Sequence, residues 1–233
     1  MNKEKVFIRG LWGIYDRSDR LLKRRYQIDK NIDQVLQSKY QIKFKTYVMG
    51  IENYDMCKRK EIDCELICNE PSKFDLLTNH HRNKLEFIKW AIENDGLKEF
   101  VALDWDCLLT RNLDLDFWDK LRNKDVFQAN LQIYKKVKCP WRQEDQRKVP
   151  NGGFIYLRDP SLIDDAIRYW EENEGNSCEP PLSKVVEQLS GGWKGIEHYW
   201  ENFEPMVVNL HRSSPFDKNR INKKNPNFIH YQG

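Results

Sequence analysis

The sequence lacks any long hydrophobic run. None of its 233 positions begins a stretch of 18 or more apolar residues, which is about what a membrane-spanning helix requires. The amino terminus, MNKEKVFIRG, has no apolar segment of the secretory type. We therefore expect no transmembrane segment, no signal peptide, and a cytoplasmic or otherwise soluble protein.

The sequence also lacks an excess of charge of either sign. Lys and Arg number 39 against 36 Asp and Glu, a net charge of +3. Proteins that bind polyanions usually carry a pronounced basic excess, and neither a zinc-finger spacing nor an RNP-like aromatic motif is found. No nucleic-acid partner is expected.

Cysteine is present but does not form a recognisable framework. The six residues are Cys57, Cys64, Cys68, Cys107, Cys139 and Cys178. In a chain of this length an even count does not indicate disulfides, and the spacing of the first three matches no common zinc pattern. Reduced thiols of a cytosolic protein are the simpler interpretation.

What the sequence does contain is an alternation of strand-like and helix-like segments. Strand patterns at 5–12, 44–49 and 65–68 alternate with helical periodicity at 19–38 and 79–94 and with a helix start at Pro71-Ser72. This rhythm predicts one α/β domain, with a central, mixed but mainly parallel sheet flanked by helices. Further along, the pattern predicts a short helix at 114–121, a strand at 125–131, a loop at 135–148, a strand at 154–158, a helix at 160–172 and a strand at 206–210.

The stretch FVALDWDCLL, residues 100–109, is the most informative. An apolar strand runs into Asp104 and Asp106, and residues two apart on a strand share a face. Strands of this kind end at a crevice on the carboxyl edge of the sheet. The two carboxylates could hold a hard divalent cation such as Mn²⁺ or Mg²⁺. Alternatively, they mark only the end of a strand, where Asp often begins a turn.

Polar residues in four other segments are candidates for the same site. Arg82 and Lys84 lie near the start of the helix before this strand and could reach an anion, although such charges usually form a solvated face. The remaining candidates are Gln128 and Asn130 on one strand, Asn151-Gly152-Gly153 before the next strand, and His230 in the closing segment NFIHYQG.

Taken in order, these motifs resemble the glycosyltransferases of the GT-A fold. In that family an apolar strand ends in a DxD motif, a strand preceded by NGG or NSG follows, and an apolar-His-aromatic-x-Gly segment comes late. The same order is found here at Asp104/Asp106, Asn151-Gly152-Gly153 and His230. The likeness is to galactosyl- and xylosyltransferases and to similar enzymes of large viruses. The family's closing HxxGxxKPW tail is missing, so Arg220, Lys223 or Lys224 would have to supply its phosphate contact.

The resemblance implies a metal-dependent glycosyltransferase, a hexosyl- or pentosyltransferase, that uses a nucleotide-sugar donor, UDP-linked by family habit, and a glycan or other hydroxyl acceptor. It implies a Mn²⁺ or Mg²⁺ site at Asp104, Asp106 and His230. Donor contacts would come from Arg9, Gly10, Leu11, Trp12, Tyr15, Arg82, Lys84, Asp104, Trp105, Asn130, Gly152 and Gly153. Gln128 and Asn151 would face the transferred sugar, Glu179 would be the base of an inverting reaction, and Trp141 would stack on donor or acceptor.

The family likeness extends over one domain, 1–233, with a nucleotide-binding part at about 1–110 and an acceptor-side part at about 111–233. Retaining and inverting stereochemistry both stay open. Two other functions compete: a metal-dependent nucleotidyltransferase or phosphohydrolase that uses the same aspartates, and a catalytically silent carbohydrate-binding domain, which exposed tryptophans would favour.

Overall fold

The computed structural model describes residues 5–12, 41–69, 80–103, 107–109, 126–130, 150–172, 207–211 and 228–232, with the single positions 34 and 37. The strands are β1 (Lys5–Leu11), β2 (Ile42–Met49), β3 (Glu65–Cys68), β4 (Phe100–Leu103), β5 (Cys107–Leu109), β6 (Val126–Asn130), β7 (Pro150–Leu157), β8 (Val207–His211) and β9 (Phe228–Gln232). The helices are α1 (Ile51–Arg59), α2 (His80–Asp95) and α3 (Ser161–Glu172).

Six of the strands form one mixed sheet in the order β3-β2-β1-β4-β7-β6. The first four run parallel to one another, while β7 runs antiparallel to both of its neighbours. A second sheet has the order β5-β9-β8, with β9 antiparallel to β5 and parallel to β8. The predicted α/β domain with a mixed, mainly parallel sheet is confirmed.

The main core lies between this sheet and α2. Gly10 and Tyr47 are register partners on β1 and β2, and the ring of Phe87 from α2 packs against both. Ile88 and Ala91 of the same helix are fully buried. Because apolar residues recur along one side of α2, the helix can bury that stripe against the strands.

The opposite face of β1 and β2 carries a smaller core. Leu11 and Val48 are register partners one residue further along, and strand alternation points them away from α2. They cluster with Cys57 from α1 and with Ile62 beyond its end. Helix α1 begins directly after Gly50, whose φ of 93° is a conformation that glycine adopts without a steric penalty.

Helices α2 and α3 are joined by charged contacts. Arg82 donates to Glu171 at 3.1 Å, and its guanidinium lies 5.3 Å from the centre of the Trp170 ring. Lys89 donates to Asp164 at 2.6 Å. Ion pairs of this exposure each contribute little to stability.

Three details differ from the sequence-based prediction. The sequence pattern did not predict α1, because this segment has few apolar residues. Two of them, Tyr54 and Met56, are only partly buried in the structure. Cys107–Leu109 forms a separate strand of the second sheet, whereas the sequence pattern predicted no element for the apolar residues after Asp106. Asn151-Gly152-Gly153 was expected to precede a strand but lies inside β7. The predicted segments at 19–38, 71–72, 114–121 and 135–148 lie wholly or almost wholly outside the described residues.

Candidate functional site at the carboxyl edge of the sheet

The carboxyl ends of β1, β2, β3 and β4 lie at one edge of the main sheet because these strands are parallel. From β1 the chain continues to β2 and then β3 on one side, and returns to β4 on the other side. The strand order therefore reverses between β1 and β4. In open α/β sheets a crevice outside such a reversal is the usual place for a ligand.

The expected aspartates follow directly from one of these two strands. Arg9 of β1 is the register partner of Leu103, the last residue of β4, and Asp104, Trp105 and Asp106 come next in the sequence. These three residues lie outside the part of the chain that the structure describes. Both strands that they connect, β4 and β5, are described.

The backbone brings His230 to this place from the far end of the sequence. His230 of β9 is the register partner of Cys107, the first residue of β5. Cα atoms of directly paired residues in antiparallel strands lie about 4.5–5.5 Å apart. The backbone of His230 therefore lies across from the residue that immediately follows Asp106 in the sequence.

The other polar candidates approach the same edge on β6 and β7. Leu103 pairs with Phe154, so residues 150–153 of β7 extend beyond the end of β4. Asn151 pairs with Ala129 and Pro150 pairs with Asn130, after an irregularity between Gln128 and Ala129. Bulges of this kind are frequent beside active sites because they redirect side chains.

The end of β1 contributes little exposed side-chain surface. Arg9, Leu11 and Trp12 are only 7%, 2% and 8% exposed. The Arg9 Nε donates to the Thr46 hydroxyl at 2.9 Å, and its guanidinium lies 4.6 Å from the centre of the Phe44 ring. The described side chains at this strand end are therefore largely covered.

The two basic candidates on α2 have different surroundings. Arg82 is engaged by Glu86 at 2.6 Å and by Glu171 at 3.1 Å. Lys84 is 6% exposed and lies close to the amino end of the helix. That end approaches the carboxyl edge, because α2 connects two parallel strands, β3 and β4, and must run back across the sheet. Both residues therefore lie near this edge, with Arg82 tied to α3 through Glu171 and Lys84 buried near the start of the helix.

Several predicted site residues fall outside the described part of the chain. They are Tyr15, Asp104, Trp105, Asp106, Trp141, Glu179, Arg220, Lys223 and Lys224. Among the residues that are described, no group of three or more His, Cys, Asp or Glu side chains is placed to hold a metal ion. The metal assignment stays a prediction that the strand pairing supports.

Sequence reasoning missed two neighbours of His230. Cys107 and Asn209 are its register partners on β5 and β8, so the histidine strand is the central strand of the second sheet. Alternation within MVVNLH marks Asn209 as part of a strand, but nothing in the sequence indicates which strands pair. The location of this small sheet beside β6 follows only from the fold.

Comparison with known proteins gives the same architecture. No family model matches the sequence, and no curated protein matches it. A solved glycosyltransferase involved in glycosylation of the major capsid of PBCV-1 is similar, with 12% identity and a TM-score of 0.50 over 97% of this chain and 92% of that one. The galactosyltransferase LgtC, solved with donor and acceptor sugar analogs, has 14% identity and a TM-score of 0.53 over 98% of this chain and 87% of that one. The GT-A-like fold expected from the motifs is confirmed.

Proposed function

We propose that this chain is a metal-dependent glycosyltransferase that moves a sugar from a nucleotide-sugar donor, UDP-linked in the first instance, to a hydroxyl group of a glycan or similar acceptor. One observation carries the proposal. The β5–β9 register sets His230 opposite Cys107, next to the aspartate pair in the sequence and beside the point where the strand order reverses. The shared fold of two solved glycosyltransferases supports it.

The donor atoms fit Mn²⁺ or Mg²⁺. Asp104 and Asp106 supply carboxylate oxygens, which hard divalent ions prefer, and the imidazole of His230 favours Mn²⁺ over Mg²⁺. When bound, such an ion offsets the negative charge that develops on the departing nucleoside diphosphate.

The protein's own groups would hold the donor in place. The backbone at Arg9–Trp12 would receive the base and ribose. Tyr15 and Trp105, which follow the ends of β1 and β4 in the sequence, would add further contacts. Lys84, in the first turns of α2 and near this edge, would attract a phosphate. Fixing the donor in this way lowers the entropic cost of reaching the reactive geometry.

The sugar and the acceptor would lie on the β6–β7 side. Gln128, Asn130 and Asn151 carry amides that both donate and accept hydrogen bonds, which suits sugar hydroxyls. Gly152 and Gly153 would let a bulky ring approach the backbone. This arrangement corresponds to a nucleotide-binding part at about 1–110 and an acceptor-side part at about 111–233. If the reaction inverts the anomeric centre, Glu179 would accept the proton of the acceptor hydroxyl.

The first test is a thermal-shift experiment on the full chain with UDP, GDP and dTDP, each with and without Mn²⁺. A ligand that binds only the native state raises the melting temperature. We expect a rise with UDP and Mn²⁺ together that exceeds the sum of the two separate effects. Release of UDP from UDP-sugars, measured with Mn²⁺ present, then identifies the sugar.

If no nucleotide changes the melting temperature with any divalent ion, the proposed donor site is wrong. In that case a rise with free oligosaccharides would favour a carbohydrate-binding module. Release of pyrophosphate from a nucleoside triphosphate, without any sugar transfer from a nucleotide sugar, would favour a nucleotidyltransferase.

A further inference from the structure

Two cysteines on the α1 side of the sheet lie in direct contact. Cys57 is in the last part of α1, and Cys64 immediately precedes β3. Both belong to the cluster around Leu11 and Val48. The Cys57 thiol donates a hydrogen bond to the Cys64 sulfur, and both residues are free cysteines. The two sulfur atoms are therefore already within reach of each other.

The two thiols differ in access. Cys57 is fully buried, with 0% of its surface exposed, whereas Cys64 is partly exposed. A small molecule in solution can therefore meet Cys64 first and cannot reach Cys57 directly. This asymmetry is what a two-cysteine exchange site requires, since one thiol has to meet the reagent and the other has to resolve the adduct.

The charges around the pair favour a thiolate on the exposed member. The hydrogen bond from Cys57 lowers the pKa of Cys64, and the positive charges of Lys58 and Arg9 lower it further. Together these effects outweigh partial burial and the negative charge of Asp63, which raise it. The same hydrogen bond, together with burial, raises the pKa of Cys57. A thiolate is the reactive form of cysteine, so Cys64 is the nucleophile of the two.

We propose that Cys57 and Cys64 form a reversible thiol–disulfide site that low-molecular-weight disulfides oxidise, with Cys64 as the attacking residue and Cys57 as the resolving residue. The Cys64 thiolate attacks one sulfur of the small disulfide, breaks its S–S bond and releases one small thiolate. Cys57 then loses its proton to solvent, attacks the Cys64 sulfur and expels the second small thiol. Two protein thiols become one disulfide, and the small disulfide becomes two thiols.

The bond would join the end of α1 to the start of β3 beside a residue of the candidate site. Arg9 contributes to the charge around both cysteines and stands level with the end of β4. Oxidation removes the ionisable Cys64 thiol and with it a group near Arg9 that can carry negative charge. The state of the two thiols would therefore change the electrostatic surroundings of the β1 end.

The sequence makes the bond easy to detect. Lys58, Arg59 and Lys60 lie between the two cysteines, so trypsin separates Cys57 from Cys64. The full chain is equilibrated without oxygen in graded ratios of oxidised to reduced glutathione, quenched in acid, alkylated and digested. We expect a cross-linked peptide pair that dithiothreitol splits, and an intact mass lower by two hydrogens.

Matched variants assign the two roles. The tryptic peptide that contains Cys64 also contains Cys68, which lies four residues further along, roughly 13 Å away on an extended strand. Cys68→Ser should keep the cross-link and Cys64→Ser should lose it. Cys57→Ser should retain one glutathionyl group on Cys64, because no resolving thiol remains.

The wild-type mapping decides the proposal even if Cys57→Ser fails to fold. Full alkylation of Cys57 and Cys64 at the most oxidising ratio would overturn it. So would a glutathionyl group that persists on Cys64 of the wild type, or a disulfide from Cys64 to any other cysteine. No nucleotide or metal ion enters these measurements, so their outcome is independent of the proposed glycosyl transfer.

Discussion

The ring of Phe87 occupies the space in which a side chain at Gly10 would lie. A Cβ atom at Gly10 would be 2.3 Å from Cδ1 and 2.5 Å from Cε1 of that ring, closer than atoms in packed interiors approach. The ring also stacks on Trp12, with centres 5.7 Å apart. The family resemblance implied a donor contact at Gly10, whereas the structure accounts for this glycine by the packing of α2 on β1.

Gly10→Ala should therefore destabilise the fold. Added volume in a packed interior costs about 1–3 kcal/mol, and urea denaturation measures the loss of unfolding free energy. Gly10→Ala combined with Phe87→Leu should recover part of the loss relative to the sum of the two single changes. If Gly10→Ala unfolds at the wild-type urea concentration, the close packing is not rigid and the explanation fails.

Asp95 should make stability depend on pH in the acid range. Burial alone would raise its pKa, but hydrogen bonds from Lys45, at 2.7 Å, and from the Tyr47 hydroxyl lower it overall. A carboxylate with a lowered pKa stabilises the fold above the unfolded value, about 3.9, and this contribution is lost as the pH falls through the folded pKa. Asp95→Asn should lose about 1–3 kcal/mol at pH 7, and the difference from wild type should shrink below about pH 4.

Glu65 is the matched control for that measurement. Its pKa is raised, first by burial and then by the charge of Asp95. The ionised form of Glu65 is therefore disfavoured in the folded state. The protonated carboxyl contributes stability that is lost as the pH rises through the folded pKa. Glu65→Gln should remove a loss of stability that occurs as the pH rises, whereas Asp95→Asn should remove a loss that occurs as the pH falls. Parallel changes in the two variants would contradict the assigned signs.

The two basic residues near the start of α2 should separate into a structural and a donor-binding role. Arg82→Met removes contacts with Glu171 and Trp170 and should lower stability by up to about 1 kcal/mol with donor affinity unchanged. Lys84→Met should weaken UDP binding by tenfold or more, since a hydrogen bond to a charged group contributes about 1.5–3 kcal/mol. Titration calorimetry with UDP and Mn²⁺ measures both. Equal losses of UDP affinity in the two variants would show that Arg82 also takes part in donor binding, despite its contacts with α3.

Asp106→Ala and His230→Ala should each abolish Mn²⁺-stimulated sugar transfer, by roughly a hundredfold or more, because each removes a proposed ligand of the ion. A metal role predicts that each variant loses the part of the thermal shift that depends on Mn²⁺. Its melting temperature without Mn²⁺ should equal that of the wild type, whereas a folding defect would lower it. Asp55→Ala, a change at an exposed aspartate of α1, is the control. Unchanged turnover in Asp106→Ala would refute the metal site.

The helices in the described parts of the chain are too short or too polar to span a bilayer.

Local pattern was sufficient where periodicity is strong. The apolar run before Asp104 predicted β4, the alternation of 125–131 predicted β6, and the amphipathic repeat of 160–172 predicted α3 to within one or two residues at each end. Helix α1 was not predicted because its buried side depends on contact with Leu11 and Val48, which belong to strands β1 and β2. Such contacts leave only a weak trace in a nine-residue segment.

The sequence by itself determined the α/β class, the aspartate pair at the end of an apolar strand, and the order of the motifs, because these depend on neighbouring residues. Only the tertiary structure decided that His230 pairs with Cys107, that Phe87 fills the space at Gly10, and that Cys57 touches Cys64. Pairing between distant strands and packing between helix and sheet depend on which segments meet in space. That choice is made by burial of the whole core, which no local stretch of sequence encodes.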